Sequence, residues 1–269
     1  MTSCLWQLAP FTPEYLPQAV RLSQQVSWPH RPQDWAMALA HSKGVVALEN
    51  GRVVGTALVS LFGPVATLNM ILVEAAMRGR GLGRQLMNAV IPGAADRELR
   101  LVATAQGLPL YQKMGFERAG HIQQFQGIVK GAEPEIPVSA GAGDLADLLR
   151  MDAAASGMAR GDLLRAIASQ GTVLRTEEGF AMIRRFGRGQ VVGPIVAPDL
   201  PTARALLSGA AQQADGGFLR LDTGCPALGD LALLLGMDLA GGGTAMVRQA
   251  RPRPQAKGRV FALVSQAFG

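Results

Sequence analysis

The chain has 269 residues, 48% of them apolar and 17% charged, with a formal net charge of +6. That length suits one large domain or two modest ones, and the charged share lies under the roughly 25% of an ordinary globular domain. Residues 1–135 hold 12 Lys+Arg against 9 Asp+Glu and the remaining 134 hold 14 against 11, so no basic tail or domain is set apart. The one local cluster, Arg248, Arg251, Arg253, Lys257 and Arg259, contains prolines and no aromatics. It reads as a solvated linker, not as a nucleic-acid groove, which combines charge with stacking rings. Cys4 and Cys225 form no disulfide framework, and His30, His41 and His121 have no ligand spacing, so no metal is expected. With no signal-like start and no apolar run near 18 residues, the expectation is a cytoplasmic protein that does not bind membranes.

In chain order, residues 13–25 and 32–42 read as helices, the second with Pro32 well placed at its start. Residues 45–60 read as a hairpin around Asn50-Gly51. A long strand follows at 67–74, a glycine turn, a helix at 82–91, a strand at 99–105, a short helix at 108–116 ending at Gly115, and a strand within 117–130. Residues 131–143, GAEPEIPVSAGAG, form the best linker. Beyond it the order repeats: helices at 144–151 and 161–169, strands at 172–176, 179–185 and 189–196, a helix at 201–213, a strand at 217–222, a helix at 228–235 and a strand at 243–248. Leu99-Arg100-Leu101 and Met114-Gly115-Phe116 have counterparts in Leu219-Arg220-Leu221 and Leu235-Gly236-Met237. A repeat of roughly 120 residues means two copies of one fold; solenoid periods are shorter.

The chemistry concentrates after the strand at 67–74. Gly79, Gly81 and Gly83 let backbone amides approach a ligand closely. The helix that follows adds its positive end, which makes a seat for phosphate or pyrophosphate. Arg78, Arg80 and Arg84 add charges that pair with phosphate oxygens. Neither a P-loop nor a dinucleotide fingerprint fits: Arg84-Gln85 stands where the first needs Lys-Ser/Thr, and Arg84 where the second needs its last glycine.

Arg78-Gly-Arg-Gly81-Leu-Gly83, with Val73 five residues before it and Tyr111-Gln-Lys-Met-Gly115-Phe116 downstream, resembles the signatures of the GNAT superfamily of N-acetyltransferases. The resemblance covers roughly residues 5–130, and the later half looks like a degenerate second copy. It implies an α/β (α+β) fold of two tandem GNAT-like domains, each a mixed, partly splayed central sheet flanked by helices. A catalytic domain would span 1–131, a linker 132–143, and a degenerate domain that shapes the substrate pocket 144–269. Acetyl-CoA, the co-substrate, would lie in the splay. Its pyrophosphate would meet the amides of Gly79, Arg80, Gly81, Leu82, Gly83 and Arg84 beside Arg78, and its pantetheine would pair with Leu72 and Val73. Tyr111 would act as general acid toward the departing thiolate. Glu74 is expected to face solvent, and no base is assigned.

The second copy departs from the pattern. Pro194-Ile-Val-Ala-Pro-Asp-Leu-Pro201-Thr-Ala-Arg204 has no glycine turn, its prolines remove amide donors, and Ala232 stands where Tyr111 stands in the first copy. It is expected to bind no pyrophosphate. On the acceptor side, Trp28, His30, Asp34 and Trp35 are the candidates, with Asp152 and Met158-Ala-Arg160 as their counterparts in a shared cleft. The expected function is acetyl transfer to the primary amine of a small molecule, in a monomer whose two domains pack as a pseudo-dimer. A non-catalytic acyl-CoA sensor and a protein or peptide N-acetyltransferase are the alternatives.

Overall fold

The computed structural model describes residues 6–252 and 255–269; Cys4 and Arg253 lie outside them. The first half runs β1 (Gln7–Pro10), α1 (Leu16–Gln25), α2 (Pro32–Ala40), β2 (Lys43–Glu49), β3 (Arg52–Phe62), β4 (Val65–Val73), α3 (Leu82–Val90), β5 (Glu98–Ala103), α4 (Leu108–Lys113) and β6 (Glu117–Ile128). The second half runs β7 (Ser139–Ala140), α5 (Leu145–Ser156), α6 (Gly161–Gln170), β8 (Thr172–Arg175), β9 (Phe180–Phe186), β10 (Gly189–Ala197), α7 (Leu200–Gln213), β11 (Phe218–Thr223), α8 (Pro226–Leu234), β12 (Asp238–Arg248) and β13 (Arg259–Ala262). The hairpin turns where expected: Asn50 and Gly51 have φ of 50° and 76°, as a type I′ turn requires.

All the strands form one sheet in the order β1-β2-β3-β4-β5-β12-β6-β11-β13-β10-β9-β8-β7. The last strand of each repeat has crossed into the other. β12 pairs with β5 (Thr244–Arg248 against Leu99–Ala103), and β6 pairs with β11 (Phe218–Thr223 against Gln123–Ile128). β6 and β12 lie antiparallel beside each other at the centre. This seam is a pseudo-two-fold: β5·β12 and β11·β6 are equivalent pairs. Residues 1–131 therefore contain no complete sheet of their own, because the neighbour of β5 is supplied from beyond position 238.

Three apolar clusters hold the sheet. One, under α3 and α4, joins Leu82, Leu86, Leu99, Leu101 and Phe116 to Met246 of the exchanged strand. A second joins both halves directly, with Trp35, Leu58 and Phe62 packing in one cluster with Leu148, Leu163, Val196 and Phe268. The third packs α7 and α8 on β10, β11 and β6 through Leu206, Leu228, Ile195, Leu221 and Phe125.

Four elements depart from the sequence reading, one of them β7, a two-residue strand inside the stretch read as a linker. β1 is short and irregular in composition. β12 begins at Asp238, not 243, because Gly241, Gly242 and Gly243 dilute its apolar signal; Gly241 and Gly242 have φ of 153° and 149°. The basic cluster read as a solvated linker joins the end of β12 at Arg248 to β13, which opens at Arg259; Arg251, Lys257 and Arg259 are exposed, but the two ends of the cluster belong to the sheet. Arg248 donates to the Met114 carbonyl, the Arg251 amide donates to Glu98, Lys257 pairs with Glu178, and Arg259 opens β13 with its guanidinium 4.3 Å from the Phe261 ring centroid. Short side chains and prolines hid a strand whose partners are tertiary.

Candidate active site

The site begins where β4 leaves β5. These parallel strands pair only over Val65–Thr67 and Glu98–Arg100, so from Leu68 onward they diverge. A bulge sharpens the divergence: the β3 register shifts between Thr56 and Leu58, and opposite it Met70 holds φ 49°. A bulky residue there is a true outlier. Its carbonyl is tied by the Thr56 hydroxyl at 2.6 Å. Beyond the bulge, the Glu74 amide donates to the Val54 carbonyl of β3 at 2.9 Å. Strand alternation therefore turns the N–H and C=O of Val73 away from β3, into the splay. The Arg78 Nε meets that carbonyl at 3.3 Å, and the amide faces the open space. Leu72 points its side chain into the core.

The glycine turn follows. Gly81, at φ 84°, is the N-cap of α3, with no side chain closing the helix end. Its backbone conformation costs little only for glycine. The first-turn amides of Leu82, Gly83 and Arg84 are free of intrahelical acceptors, and the space beside Gly79 and Gly81 is open. Arg78, Arg80 and Arg84 are not buried. A Cβ on Gly83 would sit 3.2 Å from Leu110 Cδ2, so this glycine lets α3 pack on α4. The arrangement fits a pyrophosphate at the turn and an extended chain running along the free edge of β4.

Tyr111 stands on α4 beside the splay. Gly107 caps this helix, and a Cβ there would lie 2.8 Å from the tyrosine ring, so glycine permits the ring its position. Gly115, at φ 81°, ends the helix, and the Phe116 amide reaches back to the Tyr111 carbonyl at 3.0 Å, a Schellman-type closure. Phe116 then packs edge-on against Tyr111 with centroids 6.1 Å apart. Burial pushes the Tyr111 phenol up to about 12, so it is protonated at any neutral pH.

A cavity of about 310 Å³ lies alongside, lined by Leu68–Ile71, Val102, Thr104 and Tyr111 of the first half and by Arg184, Phe186, Arg220, Gly241 and Gln266 of the second. Trp28, His30 and Asp34 line it as well. Trp35 does not: it is fully buried beneath, in the core shared by the halves, with its indole N–H on the Ser23 hydroxyl at 3.1 Å. Helical spacing put it on the inward face of α2. Asp34 is no free ligand for an amine. Its carboxylate accepts from the Arg31 side chain at 2.7 and 3.1 Å, from the Arg31 amide at 2.9 Å and from the Gly187 amide at 3.0 Å. Burial alone would raise its pKa, but these bonds outweigh it and hold the carboxyl below the usual range. His30 is edge-on to Phe186 at 5.1 Å, and its buried Nδ1 has no partner among the described residues. Burial, with Arg220 nearby, lowers its pKa to about 4, so the imidazole is neutral.

Two further expectations are corrected. Asp152 and Arg160 do not reach the cavity; they form a bidentate ion pair at 2.8 and 2.9 Å inside the core, next to buried Met158. Glu74 is mostly covered, not solvent-facing, because Arg52 across the hairpin pairs with it. Sequence reading missed Arg184, Phe186, Arg220 and Gln266. They lie in the repeat that lacks the turn signature, and only the strand exchange and the packing of β9 and β11 bring them to the site.

The second splay is closed. β13 runs antiparallel to β10, pairing Val196 with Val260 and Ala197 with Arg259, and reaches β11 at Thr223. The Thr223 hydroxyl donates to the Phe261 carbonyl at 2.6 Å, and the Leu263 amide to the Asp222 carbonyl at 2.9 Å. At the head of α7, the Asp199 carboxylate accepts from the Thr202 amide at 2.9 Å, so an anion of the chain's own stands where a phosphate would sit. Ala232 is fully buried in the cluster under α7 and α8.

One open splay with a free strand edge and an uncapped glycine turn, beside a cavity lined from both repeats, defines a coenzyme A-dependent acyltransferase. Comparison with known proteins gives the family. Residues 11–130 and residues 148–262 each match a family model described as an acetyltransferase (GNAT) domain. The chain belongs to the GNAT family and is a tandem-domain N-acetyltransferase. It is 27% identical over 273 residues to YitH, an uncharacterized N-acetyltransferase of Bacillus subtilis strain 168, covering 95% of this chain and 96% of that one. In fold it is similar to a candidate acetyltransferase from Pyrococcus horikoshii (TM-score 0.86, 17% identity, 100% and 98% coverage). It is likewise similar to a tandem GNAT protein of the clavulanic acid biosynthesis pathway (TM-score 0.62, 15% identity, 92% and 99% coverage).

Proposed function

We propose that the chain transfers an acetyl group from acetyl-CoA to the primary amine of a small molecule, by direct attack in a ternary complex. The observation that carries this reading is the cavity, which adjoins both the free edge of β4 and Tyr111 and is walled on its far side by the second repeat. A wall there suits a small acceptor better than an open peptide groove.

In this reading the turn from Arg78 to Arg84 takes the pyrophosphate, and the free edge of β4 takes the pantetheine. The Val73 amide donates to the thioester oxygen as negative charge develops there. The amine nitrogen forms its bond to the carbonyl carbon, and the carbon–sulfur bond breaks. The Tyr111 hydroxyl donates a hydrogen bond to the departing sulfur, and the proton shed by the amine ends on the thiolate. A buried phenol is a weak acid, so its contribution is a hydrogen bond that strengthens as the thiolate forms. No side chain is assigned as base; an amine arriving neutral needs none.

The test is a turnover screen with acetyl-CoA against amino acids, polyamines, aminoglycosides and short peptides, read as free-thiol release and as mass of the acetylated product. Turnover confined to peptides longer than the cavity would refute the small-molecule reading. Tight acetyl-CoA binding with no turnover of any amine would favour a sensor.

A further inference from the structure

The wall contributed by the second repeat carries an unbalanced charge. Arg184 on β9 and Arg220 on β11 flank the Phe186 ring, their guanidinium carbons 4.9 and 5.2 Å from its centroid. Both are buried and both line the cavity. Arg220 is neutralised by Asp222, which it meets in a bidentate pair at 2.9 and 3.0 Å. Asp34, the carboxylate that α2 of the first repeat brings to the same cavity, is neutralised by Arg31. His30 is neutral. Arg184 is left over. Among the described residues no carboxylate lies within ion-pair distance of it. Among these residues its Nε is buried without a partner, and its one hydrogen bond is a long contact of 3.5 Å to the Arg185 carbonyl.

Arginine keeps its charge where lysine would lose it, and a buried guanidinium without a counter-ion is costly. Burial pulls the Arg184 pKa down to about 10; Asp34 and Asp222 offset this in part, and Arg220 and Arg31 add to it. A wall that excludes its own carboxylates from one arginine is arranged to receive one from outside.

We propose that Arg184 seats an anionic group of the acceptor, and that the acceptor class is a small amino acid whose amine reacts beside Tyr111 while its carboxylate pairs with Arg184. This rests on the small-amine reading above and narrows it. A monoanionic carboxylate is favoured over a phosphate because the wall offers one uncompensated charge, and because Arg forks match carboxylates in two-point contacts. Phe186 holds the guanidinium planes, and the cavity of about 310 Å³ is at the small end of ligand sites.

The test compares amino acids with their carboxamides, their decarboxylated amines and their phosphonate analogues in steady-state turnover by the full chain. Carboxylates are expected to exceed carboxamides in kcat/KM by about 10²-fold, with phosphonates between. Arg184→Met is expected to reduce that preference at least 30-fold, and Arg184→Lys to restore part of it. A merely structural role is separated by melting. Without ligand, Arg184→Met is expected to melt at or above the wild type, since it removes an unpaired buried charge. Millimolar amino acid with coenzyme A should raise the wild-type Tm and leave that of the variant unmoved. Equal turnover of carboxamides, a phosphonate preference, or a carboxylate preference that survives Arg184→Met overturns the proposal. If no amine is acetylated, the small-amine reading fails by itself. The anion seat then stands or falls on calorimetry of N-acetyl amino acids with the coenzyme A-saturated protein: binding that Arg184→Met abolishes upholds it, and binding that is absent or unchanged overturns it.

Discussion

Breaking the ion pair between Asp152 and Arg160 should reach both stability and the cavity. Both side chains are essentially inaccessible, at 1% and 0% exposure. Arg160 spends its remaining donors on the backbone oxygens of Phe268 and Gly269, so it ties α5 and the head of α6 to the segment after β13. That segment supplies Ser265–Phe268 to the cavity. Arg160→Met strands a buried carboxylate, which costs about 3–5 kcal/mol, and leaves the Phe268 carbonyl without that donor, for about 1 kcal/mol more; the Gly269 oxygen keeps the Val264 amide. A total near 5 kcal/mol is a large part of an ordinary stability of about 5–15 kcal/mol. It corresponds to a fall in Tm of about 10–20 °C for a chain of this size. Asp152→Leu together with Arg160→Met removes both charges, and should recover to within about 2 kcal/mol of the wild type, since apolar replacements of buried pairs are often neutral. Urea unfolding of the four proteins gives the cycle, with an expected coupling of at least 2 kcal/mol. Single variants that lose less than 1 kcal/mol, or losses that simply add, would refute the reasoning by showing that water reaches the pair.

Tyr111→Phe should lower kcat by about 10²-fold while leaving acetyl-CoA affinity within about threefold, because the hydroxyl acts only as the sulfur departs. An unchanged single-turnover rate refutes the role. Acetyl-CoA should bind once per chain, since β13 fills the second splay; two equivalent sites by calorimetry would contradict this. His30 predicts a pH signature. Its folded pKa of about 4 lies below the unfolded 6.5, so the unfolded chain takes the proton first. The stability it contributes is present above pH 6.5 and is lost as pH falls toward 4, by about 3 kcal/mol. His30→Phe should flatten that part of the stability profile relative to wild type, and parallel profiles would refute the assignment.

Much of this molecule follows from local signals. The Asn50-Gly51 turn, the proline-started helices, the glycine turn before α3 and the Gly115 closure behind Tyr111 all depend on a few adjacent residues whose backbone conformations are intrinsically restricted or freed. The repeat was legible too, because two copies preserve the same order of apolar periods. The exchange of β6 and β12 was not. The residues of β12 that pair with β5 look the same whichever neighbour they choose, and only the closure of one continuous sheet selects it. β13 was hidden for a related reason: Arg259 and Val260 acquire a strand's pattern only from the open edges of β10 and β11. Within the candidate site, the glycine turn of Arg78–Arg84 and the helix of Tyr111 were proposed from contiguous residues, which carry their own signal. Arg184 could not, because what distinguishes it from other arginines is that Asp34 and Asp222 are already taken, and charge balance in a buried wall is decided only when distant strands are brought together.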